Sequence, residues 1–165
     1  SDTNEHVRGA VAGNPRAPLD LYAQLVPLLV NSNDWWTRQQ VARNPATPVD
    51  LLRTLADDSQ SDVVAGVAGN PNAPVDLIRQ LSGSQDESVR RGVAANDSTP
   101  IDVLEEFVND SRVRRALAGN TRTPVGTLRI LASDRDGAVR WAVAENPATP
   151  VDVLESMATS ADRSL

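Results

Sequence analysis

Few residues of this chain have side chains that could catalyse a reaction or hold a metal ion. The 165 residues include no cysteine and a single histidine, His6. The absence of cysteine excludes thiolate metal sites, iron–sulfur ligation and a cysteine nucleophile. No Gly-x-Ser-x-Gly elbow surrounds any serine, and no lysine is present for a phosphate-binding loop. We therefore predict a protein that is not an enzyme, with no catalytic residue, no metal and no cofactor.

Clustered acidic residues raise calcium binding as an alternative. They are Asp57, Asp58, Asp62, Asp134 and Asp136. They lack the Asp/Asn-Gly-Glu spacing of a calcium-binding loop, and acids are in any case favoured at the starts of helices by the helix dipole. The pattern favours helix starts over a metal site.

An internal repeat predicts the elements that position every other side chain. An asparagine followed four residues later by proline occurs six times, at intervals of 24 to 30 residues. We refer to these asparagines as the asparagine column: Asn14, Asn44, Asn70, Asn96, Asn120 and Asn146. Alanine lies two residues before each of them, and we refer to these as the alanine column: Ala12, Ala42, Ala68, Ala94, Ala118 and Ala144. We expect residues 1–165 to form one array of six repeats. Because the chain begins with Ser1 and not Met, we also expect it to be part of a larger protein.

Each repeat is predicted to contain two short helices. Apolar residues follow the asparagine at helical spacing, as in Val49, Leu52 and Leu55. Thr-Pro-x-Asp sequences such as Thr99 to Asp102 predict a capping box, with threonine as the N-cap and proline at the first helical position. In the first repeat the second helix is expected to run on past Pro27. The tryptophans at 35 and 36 are expected to place one ring on this extra turn and the other in solvent.

The two columns predict close contact between helices. A recurring alanine indicates backbones too close for a larger side chain. The asparagine is compatible with two roles, and the pattern alone does not separate them. It is tolerated in the left-handed conformation that ends a helix, and its side chain is able to bond the backbone of a neighbouring repeat.

At these residues the chain resembles the leucine-rich repeat variant family of bacteria. The family pattern is seen in Val139-Arg140, Val143-Ala144, Asn146-Pro147, Thr149-Pro150, Leu154 and Met157-Ala158. The resemblance implies an all-α solenoid of six repeats of about 26 residues, in which α-helices alternate with short or 3₁₀ helices in a right-handed superhelix. Some relatives carry a cysteine-rich iron–sulfur segment, which this cysteine-free sequence does not contain.

Arginines at two adjacent repeat positions are the candidate binding residues. Six residues before the asparagine, five repeats carry arginine: Arg8, Arg38, Arg90, Arg114 and Arg140. Their recurrence favours a structural ladder that pairs with aspartates of a neighbouring repeat. The next position varies from repeat to repeat: Gly9, Gln39, Ala65, Arg91, Arg115 and Trp141. We refer to Arg91, Arg115 and Trp141 as the ridge, which Arg112 is expected to extend.

The ridge leads to a functional hypothesis. Arginine and tryptophan are enriched in binding hot spots. We expect a protein or peptide partner, acidic or phosphorylated, at Arg91, Arg115 and Trp141 with contributions from Arg90, Arg112, Arg114 and Arg140. The alternative is that the ridge arginines pair internally with Glu87 or Asp110.

Net charge bears on the rival hypothesis of nucleic-acid binding. The formal charge is −6 and the pI about 4.7, which opposes a polyanion. A helical repeat that binds nucleic acid or phosphate through an arginine stripe is the alternative function. We further expect a monomer without a membrane-inserted segment, located in the cytoplasm or at its membrane face.

Overall fold

Six pairs of α-helices form the described part of the chain, which in this computed structural model covers residues 3–161. The first helices of the pairs are α1 (Thr3–Gly13), α3 (Trp35–Arg43), α5 (Ser61–Ala68), α7 (Glu87–Ala95), α9 (Arg114–Gly119) and α11 (Gly137–Glu145). The second helices are α2 (Leu19–Leu29), α4 (Val49–Leu55), α6 (Val75–Ser82), α8 (Ile101–Glu106), α10 (Val125–Leu131) and α12 (Val151–Ala161). Within these residues there is no β-strand, so the predicted all-α repeat fold is confirmed.

The first helices stack directly on one another along the array. Each of α1, α3, α5, α7 and α9 contacts the next first helix, while the second helices pack on first helices of their own or the following repeat. One continuous core runs between the two sets, built from valines and leucines of every pair. This arrangement is that of a solenoid, in which each unit is stabilised by its neighbours.

The alanine column lies where adjacent first helices come closest. Ala42, Ala68, Ala94 and Ala118 are fully buried. A Cβ added to Gly92 would lie 3.0 Å from the Cβ of Ala68, so α5 and α7 approach with almost no side chain between them. Ala144 holds the same position in the last repeat and is exposed, because no described helix stacks on it.

The asparagine column bonds across repeats. The Nδ2 of Asn96 donates to the carbonyl oxygens of Ala68 and Asn70, each at 2.8 Å, while its Oδ1 accepts from the Ser98 N–H. Its backbone is extended, with φ −80° and ψ 120°, and no described residue has a positive φ. The left-handed role is therefore wrong, and the cross-repeat role is the one that the structure shows.

The predicted threonine caps are also wrong. The second helix of the fourth repeat begins at Ile101, and its N-cap residue is Pro100. Thr99 is buried and donates from Oγ1 to the carbonyl oxygen of Val93 at 2.6 Å. It thus satisfies the end of the preceding helix, whose last carbonyls have no partner in the helix itself.

Side-chain capping occurs instead at the first helices. The carboxylates of Asp34, Asp86 and Asp136 accept from the backbone N–H groups of Thr37, Ser88 and Ala138. For Asp136, a member of the acidic set, helix capping is therefore observed.

The types of the helices differ from the family expectation, whereas the length of α2 agrees with the sequence analysis. Both helices of each described pair are α-helices, and the 3₁₀ segment among residues 3–161 is Phe107–Asn109, directly after α8 in the shortest repeat. The helix α2 continues through Pro27 to Leu29, as expected.

Candidate partner-binding face

Three arginines of the predicted ladder join successive interhelical links. The guanidinium of Arg90 donates from Nε to Asp110 at 2.7 Å and from Nη1 to the carbonyl oxygen of Ser84 at 2.7 Å. Arg38 bonds Asp58 and Ser32 in the same way, and Arg114 bonds Asp134 and Val108. These arginines thus connect the link before their own helix with the link before the next first helix.

The electrostatic effect of the ladder is seen at the aspartates. The hydrogen bond from Arg38 lowers the pKa of the Asp58 carboxyl below its ordinary value, against an opposing effect of burial. The ion pair is mostly shielded, since Asp58 is 8% and Arg38 14% exposed. The charged form of Asp58 is therefore favoured in the folded state.

Three of the candidate binding residues occupy the ladder position, and their guanidiniums already form hydrogen bonds within the array. The guanidiniums of Arg90 and Arg114 are engaged inside the array, and that of Arg140 donates to the carbonyl oxygens of Asp134 and Arg135. The bonds of Arg90 and Arg114 match the expected structural ladder, and we place these two behind the binding surface. Arg140 is exposed and bonds no aspartate carboxylate among the described residues, so it stays a candidate binding residue.

The ridge itself faces solvent. The side chain of Arg91 is 57% exposed and Trp141 is 66% exposed, and Arg115 is exposed as well. The equivalent position is buried in the first two repeats, where Gln39 donates to the carbonyl oxygen of Asp62. The same repeat position is thus part of the packing at one end of the array and free surface at the other.

Internal pairing of the ridge arginines is slight. Arg91 lies 3.7 Å from Glu87 in an exposed i,i+4 pair, which is worth about 0.3–0.5 kcal/mol. The guanidiniums of Arg112 and Arg115 form no hydrogen bond or ion pair within residues 3–161, although Arg112 interacts electrostatically with Asp110. The expected internal alternative therefore accounts for a weak contact at Glu87 and for this longer-range interaction, since Asp110 is ion-paired with Arg90.

Arg91, Arg112 and Arg115 surround one groove. Its volume is about 590 Å³, and its other lining residues include Ser111, Ala116 and Asp136. Three cations thus face a shared open space, as the ridge hypothesis requires. Trp141 stands exposed on α11 and is not among the residues that line this groove.

The two N-terminal tryptophans differ in exposure. Trp35 is 41% exposed, while Trp36 is half-buried and stacks on His6 with ring centroids 5.5 Å apart. His6 also lies 3.4 Å from the capping carboxylate of Asp34. These contacts give His6 a packing role beside α3, in place of a site role.

A second set of arginine–aspartate pairs, missed in the sequence, lies on the second helices. Arg79 donates two hydrogen bonds to Asp102 of the next repeat, at 2.6 and 3.0 Å. The pairs Arg53–Asp76 and Arg129–Asp152 repeat this contact. Between the fourth and fifth repeats, the residue equivalent to this arginine is Glu105 and the residue equivalent to this aspartate is Gly126. The 23-residue spacing between arginine and aspartate was the available signal.

One repeat of the chain matches a known protein family. Residues 35–60, which hold α3, α4 and the next link, match the family described as leucine rich repeat variant. The resemblance found in the sequence is thereby confirmed. The other five repeats have the same asparagine and alanine positions as this unit.

Further comparisons add a structural neighbour. A solved structure described as a leucine-rich repeat variant with a novel repetitive protein structural motif is similar to this chain at 20% identity. The similarity covers 93% of this chain and 75% of that chain, with a TM-score of 0.40. The comparison with curated proteins gave no match.

Membrane-spanning helices and metal-binding clusters are both absent from residues 3–161. No helix there combines the length and the apolar character needed to cross a bilayer. In the same residues, no group of three or more His, Asp or Glu side chains is arranged to hold a metal ion.

Proposed function

We propose that this repeat scaffold is a non-catalytic module that binds a protein or peptide segment on the surface formed by Arg91, Arg112, Arg115 and Trp141. The observation that supports it is the groove lined by Arg91, Arg112 and Arg115, three cations that the array leaves almost unpaired. Trp141, at the equivalent repeat position to Arg91 and Arg115, is 66% exposed. An exposed tryptophan gains from desolvation when a partner covers it, and arginines supply directional contacts to the same partner.

Nucleic-acid binding is the second candidate, and the charge distribution argues against it. Six of the arginines form ion pairs with aspartates along the array. These pairs neutralise the stripe that a phosphate backbone would follow, and the net charge is −6. A salt-sensitive shift of DNA or RNA at physiological ionic strength would favour this candidate instead.

A display selection tests the proposed surface. A random peptide library is selected on the parent protein and on the variant Arg91→Ala/Arg115→Gln/Trp141→Ala. The matched control, Arg8→Ala/Arg16→Gln/Ile130→Ala, removes one exposed apolar side chain and two exposed arginines whose side chains form no ion pair within residues 3–161.

The expected result is a set of peptides that bind the parent and the control but lose binding to the ridge variant, while the helicity and melting of all three proteins agree. Equal binding of the selected peptides to the ridge variant would contradict the proposal. Early unfolding of that variant would assign the ridge a structural role.

A further inference from the structure

A second groove continues the first one across the earlier repeats. It measures about 340 Å³ and lies against α3, α5 and α7, with Arg43 and Arg91 among its lining residues. Arg91 and Ala95 line both grooves. The two form one path over the stacked first helices, from Arg43 to Arg115.

Close helix packing restricts the floor of this path to small residues. A Cβ on Gly92 would lie 2.8 Å from the carbonyl oxygen of Ala65, which excludes a side chain there, and one on Gly66 would make a tight contact of 3.1 Å with the Cβ of Ala42. Gly69 and Ala95 also line the path. Because these residues are small, an extended backbone is able to approach the array closely between the flanking arginines.

The charges along the path are unbalanced. Arg43, Arg112 and Arg115 make no side-chain hydrogen bond or ion pair with any described residue, and Arg91 has the single 3.7 Å contact with Glu87. The acids that line the path are Asp62 and Asp136, and the carboxylate of Asp136 already accepts a backbone N–H as a helix cap. Arg112 also interacts electrostatically with Asp110, which is already ion-paired with Arg90. The four guanidiniums therefore outnumber the carboxylates left available along the path, which are those of Asp62 and Glu87.

The rest of the array shows which chemistry its arginines accept. Six arginines elsewhere pair with aspartates. Two of them, Arg38 and Arg79, do so through two hydrogen bonds of 2.6 to 3.0 Å. This fork geometry suits a planar carboxylate. The overall negative charge opposes a long polyphosphate but leaves a local attraction for a short acidic segment.

We propose that this path binds an acidic peptide segment in extended conformation, its carboxylates held by Arg43, Arg91, Arg112 and Arg115. The inference rests on the proposed function and names its ligand class. Packed helices lie about 8–10 Å apart. In the polyproline II conformation an extended chain advances about 3.1 Å per residue with three residues per turn, so about three residues span each repeat and every third side chain lies on the same face. Aspartate or glutamate at every third position therefore presents a carboxylate to each repeat along the path, including those that hold Arg43, Arg91 and Arg115.

A designed probe tests the inference by fluorescence anisotropy. The probe is a labelled peptide of about twelve residues in which Glu-Pro-Ser is repeated, since proline holds the chain extended. Its matched control replaces each glutamate by glutamine. The protein variants are Arg43→Gln and Arg115→Gln in the path, with Arg53→Gln on a second helix as the charge-matched control.

The glutamate probe is expected to bind the parent, and the glutamine probe is not. Because a hydrogen bond to a charged group is lost, Arg43→Gln and Arg115→Gln are each expected to weaken binding by about tenfold. Arg53→Gln should change it less than about twofold, because this exposed arginine lies outside the path.

Other outcomes would overturn the inference in distinguishable ways. If Arg115→Gln weakens binding and Arg43→Gln does not, the path ends at Arg91 and only the proposed function survives. Equal binding of the glutamine probe, or binding of a phosphoserine peptide or an RNA oligonucleotide alone, would exclude carboxylate recognition. If the display selection yields ridge-dependent peptides without acidic residues, the proposed function stands and this inference fails.

Discussion

The side-chain amide nitrogen of Asn96 lies 2.8 Å from the backbone carbonyl oxygen of Asn70 and donates a hydrogen bond to it. Asn120 bonds Asn96 in the same way at 3.0 Å, and Asn146 bonds Asn120 at 2.8 Å. These side chains are buried. A continuous line of polar contacts therefore sets the register between repeats inside an otherwise apolar core.

Loss of one such asparagine is expected to destabilise the array strongly. Asn96→Ala leaves the carbonyl oxygens of Ala68 and Asn70 without this donor, which should cost about 2–4 kcal/mol in the free energy of unfolding. The control is Asn14→Ala, because Asn14 is exposed and its side-chain nitrogen bonds no carbonyl among the described residues. Urea denaturation of both variants measures the difference, and equal losses would refute the cross-repeat role.

Enlarging the alanine column should be costly only where a neighbour covers it. Ala94→Leu inserts a bulky side chain between packed helices and should lower stability by about 1–3 kcal/mol. Ala144→Leu makes the same change at an exposed member of the column and should be nearly neutral. If Ala94→Leu melts within about a degree of the parent, the account of the column as a close contact is incorrect.

The buried threonine position predicts a loss of stability for one substitution and a gain of stability for another. Thr99→Ala removes the hydrogen bond to Val93 and should cost about 0.5–2 kcal/mol. The third repeat has Ala73 at this position, also buried, and Ala73→Thr should gain about 0.5–1.5 kcal/mol by donating to Val67. Thermal melts of both variants give the comparison. No gain at Ala73 would indicate that the third repeat has no room for the hydroxyl and methyl groups.

The adjacent residues Arg90 and Arg91 should differ in how much they contribute to the free energy of unfolding. Arg90→Gln breaks bonds to Asp110 and Ser84 from a side chain that is 16% exposed, and it should cost about 1–3 kcal/mol. Arg91→Gln removes an exposed side chain with a weak pair, so the free energy of unfolding should change by less than about 0.5 kcal/mol. Chemical denaturation separates the two, and a reversed order would contradict the division between ladder and ridge.

Acid should destabilise the protein through its bonded aspartates. Hydrogen bonds from the Ser88 side chain, the Ser61 side chain and the Ser88 backbone lower the pKa of Asp86 to about 2. The pKa of Asp58 is lowered as well, and the hydrogen bond from Arg38 is the largest cause. A carboxyl group whose folded pKa lies below its unfolded value of about 3.9 stabilises the protein above that pH and loses the effect as pH falls through the folded value.

The resulting expectation is a fall in the free energy of unfolding between about pH 4 and pH 2. Asp86→Asn should lower stability at pH 7 and flatten this slope, because the variant no longer takes up the proton. Urea titrations at several pH values measure both effects. Stability that rises on acidification, or a slope unchanged by Asp86→Asn, would show that these bonds do not act as described.

Much of the fold was accessible from sequence because the repeat aligns six copies of each position. Ala94 and Asn96 could be recognised as contact residues since packing allows little else there. Thr99 was misread because Thr-Pro-x-Asp is compatible with two hydrogen bonds, one to the following helix and one to the carbonyl six residues earlier. Only the spatial arrangement of those partners distinguishes the two.

The candidate site was accessible in part for a similar reason. The variable position of Arg91 and Arg115 separates them from the regular position of Arg90, which the ladder explains. The path to Arg43 could not be predicted, because it depends on how far apart α3, α5 and α7 lie. That distance is set by Gly66 and Gly92 in contact with neighbouring helices.

The Glu105 and Gly126 junction has a consequence for how such a chain lengthens. A tandem duplication of the whole fourth repeat would set the copied Asp102 beside the original Glu105, so that like charges meet where three other junctions pair arginine with aspartate. A duplication that begins within α8, between Asp102 and Glu105, and ends at the equivalent point of α10 keeps each copy of Glu105 beside a copy of Gly126. A duplicated segment that contains the whole junction between two repeats therefore lengthens the array without placing two carboxylates side by side.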